Sequence, residues 1–187
     1  MKKKVVVFAG FILIIMGFST VHFSCEKKKY DLTSIEAILK HIIVRADGDF
    51  DYEYIFNPNG ITSIAFDSLL IDVEAVYEQS NSLSWEFLRK SKYEKVTDII
   101  ITSNKNYNAQ YPAGTNLKGI ISAWAQYTSS GYGTIDAMLK YTSNLPYDVS
   151  YMFNTPPYTE EVHDITIIYK TKKQKFSTVV KNVKILK

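Results

Sequence analysis

Apolar and polar residues alternate along much of the chain, which is the pattern of β-strands that bury one face. The alternation is clearest over residues 69–77, where every odd position carries an apolar or aromatic side chain. These odd positions are predicted to face the core and the even positions to face water. The looser pattern over 32–44 also suits a helix, but its β-branched end favours a strand. Further strands are predicted over residues 61–65, 96–102, 147–153, 164–170 and 176–186.

The middle of the chain departs from this alternation. Four apolar residues recur there at helical spacing, namely Leu117, Ile120, Ile121 and Trp124. They predict a short helix that Thr115 or Asn116 caps and that continues through Gln126. Thr134 is predicted to cap a second short helix over Ile135–Tyr141.

Several short strands separated by turn residues predict a mostly β fold, an antiparallel β-sandwich of immunoglobulin-like kind. Residues 30–187 are expected to form this sandwich as a single domain. A short helical insertion is expected within it, at about residues 115–142. Turn residues at 47–49 and 57–60 separate the early strands, and the last two strands are predicted to close the fold as a hairpin.

The first 25 residues have a pattern of their own. Three lysines precede the apolar run Val5–Phe18, whose 14 residues fall short of the roughly 20 that a membrane-spanning helix needs. A basic start and a short apolar core predict a secretory signal peptide over residues 1–24, the alternative being an uncleaved anchor helix. Phe23-Ser24-Cys25 resembles the lipobox of bacterial lipoproteins, with His22 where Leu or Val is usual. The resemblance implies a diacylglycerol thioether and an N-acyl chain such as palmitate on Cys25, which together anchor a protein stably.

Charge and cysteine content bound the part that follows. The chain has 22 Lys and Arg against 19 Asp and Glu, and residues 1–24 hold three of the lysines and no acids. Without those residues the chain is formally neutral, which argues against nucleic-acid binding. The single cysteine, Cys25, cannot form an internal disulfide, so the core alone must hold the fold together. Residues 26–29 are predicted to be a solvated tether.

A resemblance to a protein family covers nearly the whole chain. Beside the lipobox, it rests on Tyr30-Asp31-Leu32, on Thr97–Ser103, on Tyr111–Leu117 and on Pro156-Pro157 before the final hairpin. In these features the chain resembles Bacteroides-type lipoproteins of the Bacteroidota, a family to which no activity is assigned. The resemblance implies an outer-membrane lipoprotein. Surface lipoproteins of that group tend to carry acidic residues just after the cysteine, so the basic tether favours the periplasmic face.

Motifs that would indicate catalysis are absent from the sequence, which has no His-Glu-x-x-His, no Gly-x-Ser-x-Gly and no phosphate-binding glycine loop. His41 and His163 are isolated, and His163 is interpreted as part of a surface loop rather than as a metal ligand. Four acidic residues at alternate positions are the strongest candidate for a calcium site, namely Asp47, Asp49, Asp51 and Glu53. Tyr52 and Pro58 occupy the sixth and twelfth positions, where an EF-hand has Gly and Glu. A solvated acidic turn is the competing interpretation.

Aromatic residues near the predicted helical insertion supply the other candidate site. The rings assigned to recognition are Trp124, Tyr127, Tyr132 and Tyr141. Flat amphipathic rings beside the loops of a rigid sandwich can stack on sugars or anchor a protein partner. The competing interpretation is that most of these rings belong to the core or to half-buried sheet positions.

These observations leave three hypotheses of different classes. The leading one is a lipid-anchored cell-envelope protein without catalytic activity that binds or assembles an envelope partner. The alternative is a glycan-binding accessory lipoprotein at the cell surface. The third is a hydrolase that uses Glu160 or Glu161 with a distant Asp, and the abundance of carboxylates in any chain gives it little support.

Overall fold

The computed structural model describes residues 29–30, 32–55, 60–77, 92–93, 95–125, 133–141 and 148–187. The predicted signal peptide, Cys25, residues 26–28 of the tether and residues 57–59 of the second predicted turn lie outside the described residues.

Twelve strands lie within the described part of the chain. They are β1 (Lys29–Tyr30), β2 (Leu32–Val44), β3 (Phe50–Tyr54), β4 (Thr62–Ala65), β5 (Leu69–Tyr77), β6 (Lys92–Tyr93), β7 (Val96–Ser103), β8 (Ile121–Ala125), β9 (Gly133–Thr134), β10 (Asp148–Phe153), β11 (Val162–Thr171) and β12 (Lys175–Leu186). A 3-10 turn covers Leu117–Ile120, and helix α1 covers Ile135–Tyr141. The alternation that predicts strands is clearest in β11, where every second side chain from His163 to Tyr169 is buried.

These strands form two main sheets. The first has six strands in the order β3-β2-β5-β10-β8-β9, and all neighbours in it are antiparallel. The second has four strands in the order β4-β12-β11-β7, in which β4 and β12 run parallel and the other pairs antiparallel. The short strands β1 and β6 pair in parallel apart from both sheets.

The order of the strands is that of an immunoglobulin fold, in which A, B, E and D form one sheet and C, F and G the other. Letters are given in chain order to the seven strands that remain when the edge strands β3, β4 and β9 and the separate pair β1 and β6 are left out. The first sheet then contains strands A, B, E and D, which are β2, β5, β10 and β8. Likewise β7, β11 and β12 are strands C, F and G of the second sheet. β3 and β9 extend the first sheet at its two edges. The predicted immunoglobulin-like sandwich is therefore confirmed.

The core lies between the inner faces of the two sheets. Its fully buried aliphatic side chains include Leu69, Ile99, Val149, Ile165, Ile167, Val183 and Ile185. Antibody domains add a disulfide between strands B and F, whereas this chain joins strands E and F by a hydrogen bond. The hydroxyls of Tyr151 on β10 and Tyr169 on β11 lie 2.6 Å apart and are buried. Burial, with the nearby Tyr169 hydroxyl, holds the pKa of Tyr151 well above its ordinary value.

The predicted helix through Gln126 is wrong. Asn116 does cap a turn, since its Oδ1 accepts a hydrogen bond of 3.1 Å from the amide of Lys118. The helical segment ends at Ile120, because residues 121–125 pair with β10 as strand D. Apolar residues at both helical and alternating spacing occur here, and pairing with a neighbouring strand decides between them.

Other sequence predictions are confirmed. Thr134 caps α1, because its hydroxyl accepts a hydrogen bond of 3.1 Å from the amide of Ala137. The closing hairpin forms between β11 and β12. The odd positions of β5 from Leu69 to Ala75 are buried as predicted, but the even position Leu70 is buried too. Leu70 lies opposite Lys40 and Met152 on the neighbouring strands, within a sheet face that is partly covered.

Candidate recognition surface

Of the four aromatic residues predicted for recognition, Trp124 is the one whose side chain the structure describes. Trp124 lies on β8, half-buried, opposite Ser150 of β10. Its neighbours Ala123 and Ala125 face the core, so Trp124 faces the outer side of the first sheet. Tyr141 is the last residue of α1, and its side chain is not described. Tyr127 and Tyr132 lie outside the described residues.

The four carboxylates of the candidate calcium site are not gathered at one point. No group of three or more His, Cys, Asp or Glu side chains in the described ranges is placed to hold a metal ion. Asp47 lies in the turn, where its Oδ1 accepts a hydrogen bond from the amide of Asp49 at 3.1 Å. Asp51 and Glu53 belong to β3, where residues two apart are separated by roughly 6.6 Å of extended chain. An extended strand therefore spreads these carboxylates along its length instead of gathering them around one ion.

The strand that carries these acids presents an aromatic row on its other face. Phe50, Tyr52 and Tyr54 alternate with the acids and are 64%, 45% and 65% exposed. They lie opposite Val44, Ile42 and Lys40 on β2 in the antiparallel register, so all six side chains share one face. We call the exposed apolar members of this surface, Ile38, Val44, Phe50, Tyr52 and Tyr54, the hairpin face.

The hairpin face lies on the outer side of the first sheet. The residues of β2 that point into the core are Leu32, Ile35 and Leu39. Because side chains alternate along a strand, the even positions from 38 to 44 point outward. The end of the hairpin also extends past the sandwich, because the pairing of β2 with β5 stops at His41 opposite Leu69. An exposed cluster of large apolar side chains is a candidate site of interaction.

A polar network fixes one end of the hairpin face to the sandwich. Lys40 forms a salt bridge with Asp72 of β5, and Ser150 of β10 donates a hydrogen bond of 2.5 Å to the same carboxylate. The ammonium of Lys40 also lies 4.6 Å from the centroid of the Tyr54 ring, which is a cation–π contact. Burial lowers the pKa of Lys40, but Asp72 outweighs it and keeps this pKa above its ordinary value. Lys40 therefore stays charged and holds the Tyr54 ring in place.

The opposite face of β3 is acidic. Asp51 accepts a hydrogen bond of 2.7 Å from the guanidinium of Arg45, and the amide of Tyr52 donates to its second oxygen at 2.9 Å. The hydrogen bond from Arg45, and then that from Tyr52, hold the pKa of Asp51 below its ordinary value. Glu53 lies two residues further along the same face. β3 thus has an aromatic face and a negatively charged face.

A buried Ser–His pair is the second feature that sequence reasoning missed. His163 is fully buried in β11, and its Nδ1 lies 2.8 Å from Oγ of Ser103. Its Nε2 is the one buried side-chain nitrogen or oxygen in the described residues without a hydrogen-bond partner. Burial holds the pKa of His163 below its ordinary value. The interpretation of His163 as a surface-loop residue is wrong. Alternation indicates that His163 and Ile165 share one face of β11, and the structure shows that this face is buried.

The Ser–His pair is not presented to solvent. Ser103 is only 3% exposed, and its Oγ also accepts a hydrogen bond of 3.1 Å from the amide of Lys105. The Tyr107 ring lies 5.9 Å from the imidazole and stacks on Phe153. A nucleophile must be accessible to a substrate, so this pair acts as a polar element of the core.

Comparison of the chain with protein-family models, with curated proteins and with solved structures found no match. Among the helices of the described residues, none is long and apolar enough to cross a membrane. The resemblance to Bacteroides-type lipoproteins therefore stays a prediction.

Proposed function

We propose that this protein is a lipid-anchored cell-envelope module, without catalytic activity of its own, that binds an envelope partner through the hairpin face. One observation carries the proposal: three exposed rings, Phe50, Tyr52 and Tyr54, lie in a row on one face of the β2–β3 hairpin. Aromatic side chains supply much of the binding energy at protein interfaces. The lipobox-like Cys25 supports anchoring at the outer membrane, with the periplasmic face favoured by the basic tether.

The position of the hairpin face suits an anchored binding module. Cys25 lies only seven residues before Leu32, where β2 begins. The 13 residues of β2 extend about 40 Å at roughly 3.3 Å per residue. An acylated Cys25 would therefore hold one end of β2 at the membrane and leave the hairpin end about 40 Å further along the strand. With β2 directed away from the membrane, the hairpin face would meet a protein or glycan partner and not the lipid surface itself.

Site-specific photo-crosslinking in intact cells tests the proposal. A photoreactive amino acid replaces Tyr52 in one strain and Val179 in another, because the two side chains are 45% and 44% exposed. We expect a discrete crosslinked product from position 52 and none from position 179. Equal crosslinking at the two positions, or none at position 52, would contradict a binding role for the hairpin face.

Lipidation is tested separately. Cells that express the wild-type chain or the Cys25→Ser variant are labelled with radioactive palmitate and fractionated. We expect label and outer-membrane fractionation for the wild-type chain, and loss of both for Cys25→Ser. Digestion of intact and lysed cells with a protease then distinguishes the cell surface from the periplasmic face.

Glycan binding is the second candidate function, and the same row of rings favours it. Side chains two residues apart on one strand face have the same orientation, so Phe50, Tyr52 and Tyr54 offer adjacent flat surfaces for sugar rings. Affinity electrophoresis in gels containing soluble polysaccharides tests this. Retardation of the wild-type protein, lost in Tyr52→Ala and retained in Val179→Ala, would favour glycan as the partner.

A further inference from the structure

β3 is an edge of the six-stranded sheet, and β2 is its one neighbour among the strands that the structure describes. All five residues of β3 are exposed. Edge strands leave main-chain groups unpaired and are a template for pairing with another chain. Most natural edges are shortened, twisted away or covered.

The hydrogen bonds at the two ends of the hairpin show which main-chain groups face outward. The amide of Arg45 donates to the carbonyl of Asp49 at 2.8 Å, and the amide of Ile55 donates to the carbonyl of Leu39 at 2.9 Å. Because hydrogen bonding alternates along an antiparallel pair, Asp51 and Glu53 also direct their main-chain groups toward β2. The intervening residues direct theirs away from β2, and these are Phe50, Tyr52 and Tyr54.

One of the three outward amides is already occupied from within the hairpin. The amide of Tyr52 donates to Asp51, whose carboxylate Arg45 also binds. A carbonyl from an added strand would take the place of this carboxylate and leave Asp51 paired with Arg45 alone. The central outward amide of β3 is therefore satisfied by the Asp51 carboxylate, and the carbonyl of an added strand can replace that carboxylate.

The charges on β3 select the chemistry of that strand. If a second copy of this chain paired antiparallel about Tyr52, Asp51 of one copy would lie opposite Glu53 of the other. Like charges in opposed positions destabilise a strand pair. A strand with Lys or Arg on that face and apolar residues on the face of the rings would instead match both sides of β3.

We infer that β3 binds an extended, basic segment of a partner protein by antiparallel strand addition, which adds a seventh strand to the sheet. This inference rests on the proposed binding function and names the class of partner. In antiparallel addition, residues that exchange hydrogen bonds lie on the same face. The partner residues opposite Phe50, Tyr52 and Tyr54 are therefore apolar, and the residues between them are basic.

Three synthetic ten-residue peptides test the inference against the full-length lipoprotein in neutral detergent. The first alternates lysine and valine, the second carries N-methyl groups on every valine, and the third carries them on every lysine. Antiparallel addition directs the valine amides at β3 and the lysine amides away from it. We expect binding of the first and third peptides, and a loss of roughly tenfold or more for the second, because three hydrogen bonds are lost.

Two variants of β3 provide the matched protein-side test. Tyr52→Pro removes the outward amide without breaking the pairing with β2, whereas Tyr52→Ala removes the ring and keeps the amide. We expect Tyr52→Pro to abolish binding of the lysine–valine peptide and Tyr52→Ala to weaken it less. Far-ultraviolet circular dichroism establishes that both variants retain the fold.

Each other outcome overturns the inference. Equal binding of all three peptides would mean that charge or ring contacts act without strand addition. A fourth peptide that alternates glutamate and valine tests the charge, and its binding as tightly as the lysine–valine peptide would show that the acidic face of β3 does not select a basic segment. No binding of any peptide, or concentration-dependent self-association that Tyr52→Pro abolishes, would exclude a basic partner segment. A crosslink from position 52 in cells would still support the proposed function in any of these cases.

Discussion

Strand β2 has a part that is covered by the second sheet and a part that is exposed. The covered part belongs to the core, and the exposed part belongs to the candidate recognition surface. Residues 32–41 pair with β5, and Leu32, Ile35 and Leu39 are buried beneath the second sheet. The residues beyond His41, together with residues 50–52 of β3 that lie opposite them, extend past β5. Val44 and Phe50 there remain about two-thirds exposed. Both regions are rich in apolar residues. A second layer of structure, and not apolar content, decides which of them forms core.

The largest change in the free energy of unfolding is expected when side-chain volume is removed from the core between the sheets. Ile167 on β11 is fully buried between the sheets. Its replacement by alanine is expected to lower the free energy of unfolding by about 2–5 kcal/mol, through lost burial and the cavity left behind. Urea denaturation followed by tryptophan fluorescence measures this. A loss no larger than that of Phe50→Ala would contradict the assignment of the core.

A smaller effect is expected at the hydrogen bond that joins the sheets. Tyr169→Phe leaves the buried hydroxyl of Tyr151 without this partner, and is expected to destabilise the fold by about 1–3 kcal/mol. The double variant, with both tyrosines replaced by phenylalanine, is expected to lose less than the sum of the two single variants. Urea denaturation of the four proteins gives the coupling free energy. Strict additivity would show that the two hydroxyls do not act as a pair.

The stability of the core is also expected to depend on pH through His163. Burial holds its pKa below the ordinary value of 6.5. As the pH falls through that value, the unfolded chain takes up a proton that the folded chain does not, so stability decreases toward acid. Urea midpoints at about pH 7.5 and about pH 5.5 measure this, and His163→Gln is expected to reduce the difference between them. Ser103→Ala keeps the titrating imidazole, and an equal reduction in that variant would contradict the assignment.

The smallest effect on stability is expected at the exposed end of the β2–β3 hairpin. Phe50→Ala is expected to change the free energy of unfolding by less than about 0.5 kcal/mol, because Phe50 is 64% exposed. The same substitution in the chain used for crosslinking is expected to weaken the product formed from position 52. A large loss of stability would show that the hairpin face is part of the core.

The strands were predictable where one face of the strand is buried and the other is exposed to solvent. β5 has the predicted bounds Leu69–Tyr77, and β11 and β12 form the predicted closing hairpin. The segment from Ile121 to Ala125 was not predictable in this way, because its apolar spacing suits both a helix and a strand. Its pairing with β10, a strand more than twenty residues away in sequence, decides the outcome.

The candidate site was overlooked for a related reason. Acidic residues at 47, 49, 51 and 53 suggest a calcium loop, and aromatic residues stand between the last three of them. Alternation of aromatic and acidic residues from Phe50 to Tyr54 is itself a strand pattern with two distinct faces. The signal was present in the sequence, but it does not say whether the aromatic face is buried.

The sequence by itself determined the β character, most strand bounds, helix α1 and the export signal prediction, since these depend on local periodicity and composition. Only the tertiary structure decided that His163 is buried against Ser103, that residues 121–125 form strand D, and that β3 is an exposed edge. Burial and pairing depend on partners distant in sequence. No local pattern shows whether a second sheet lies above a given face.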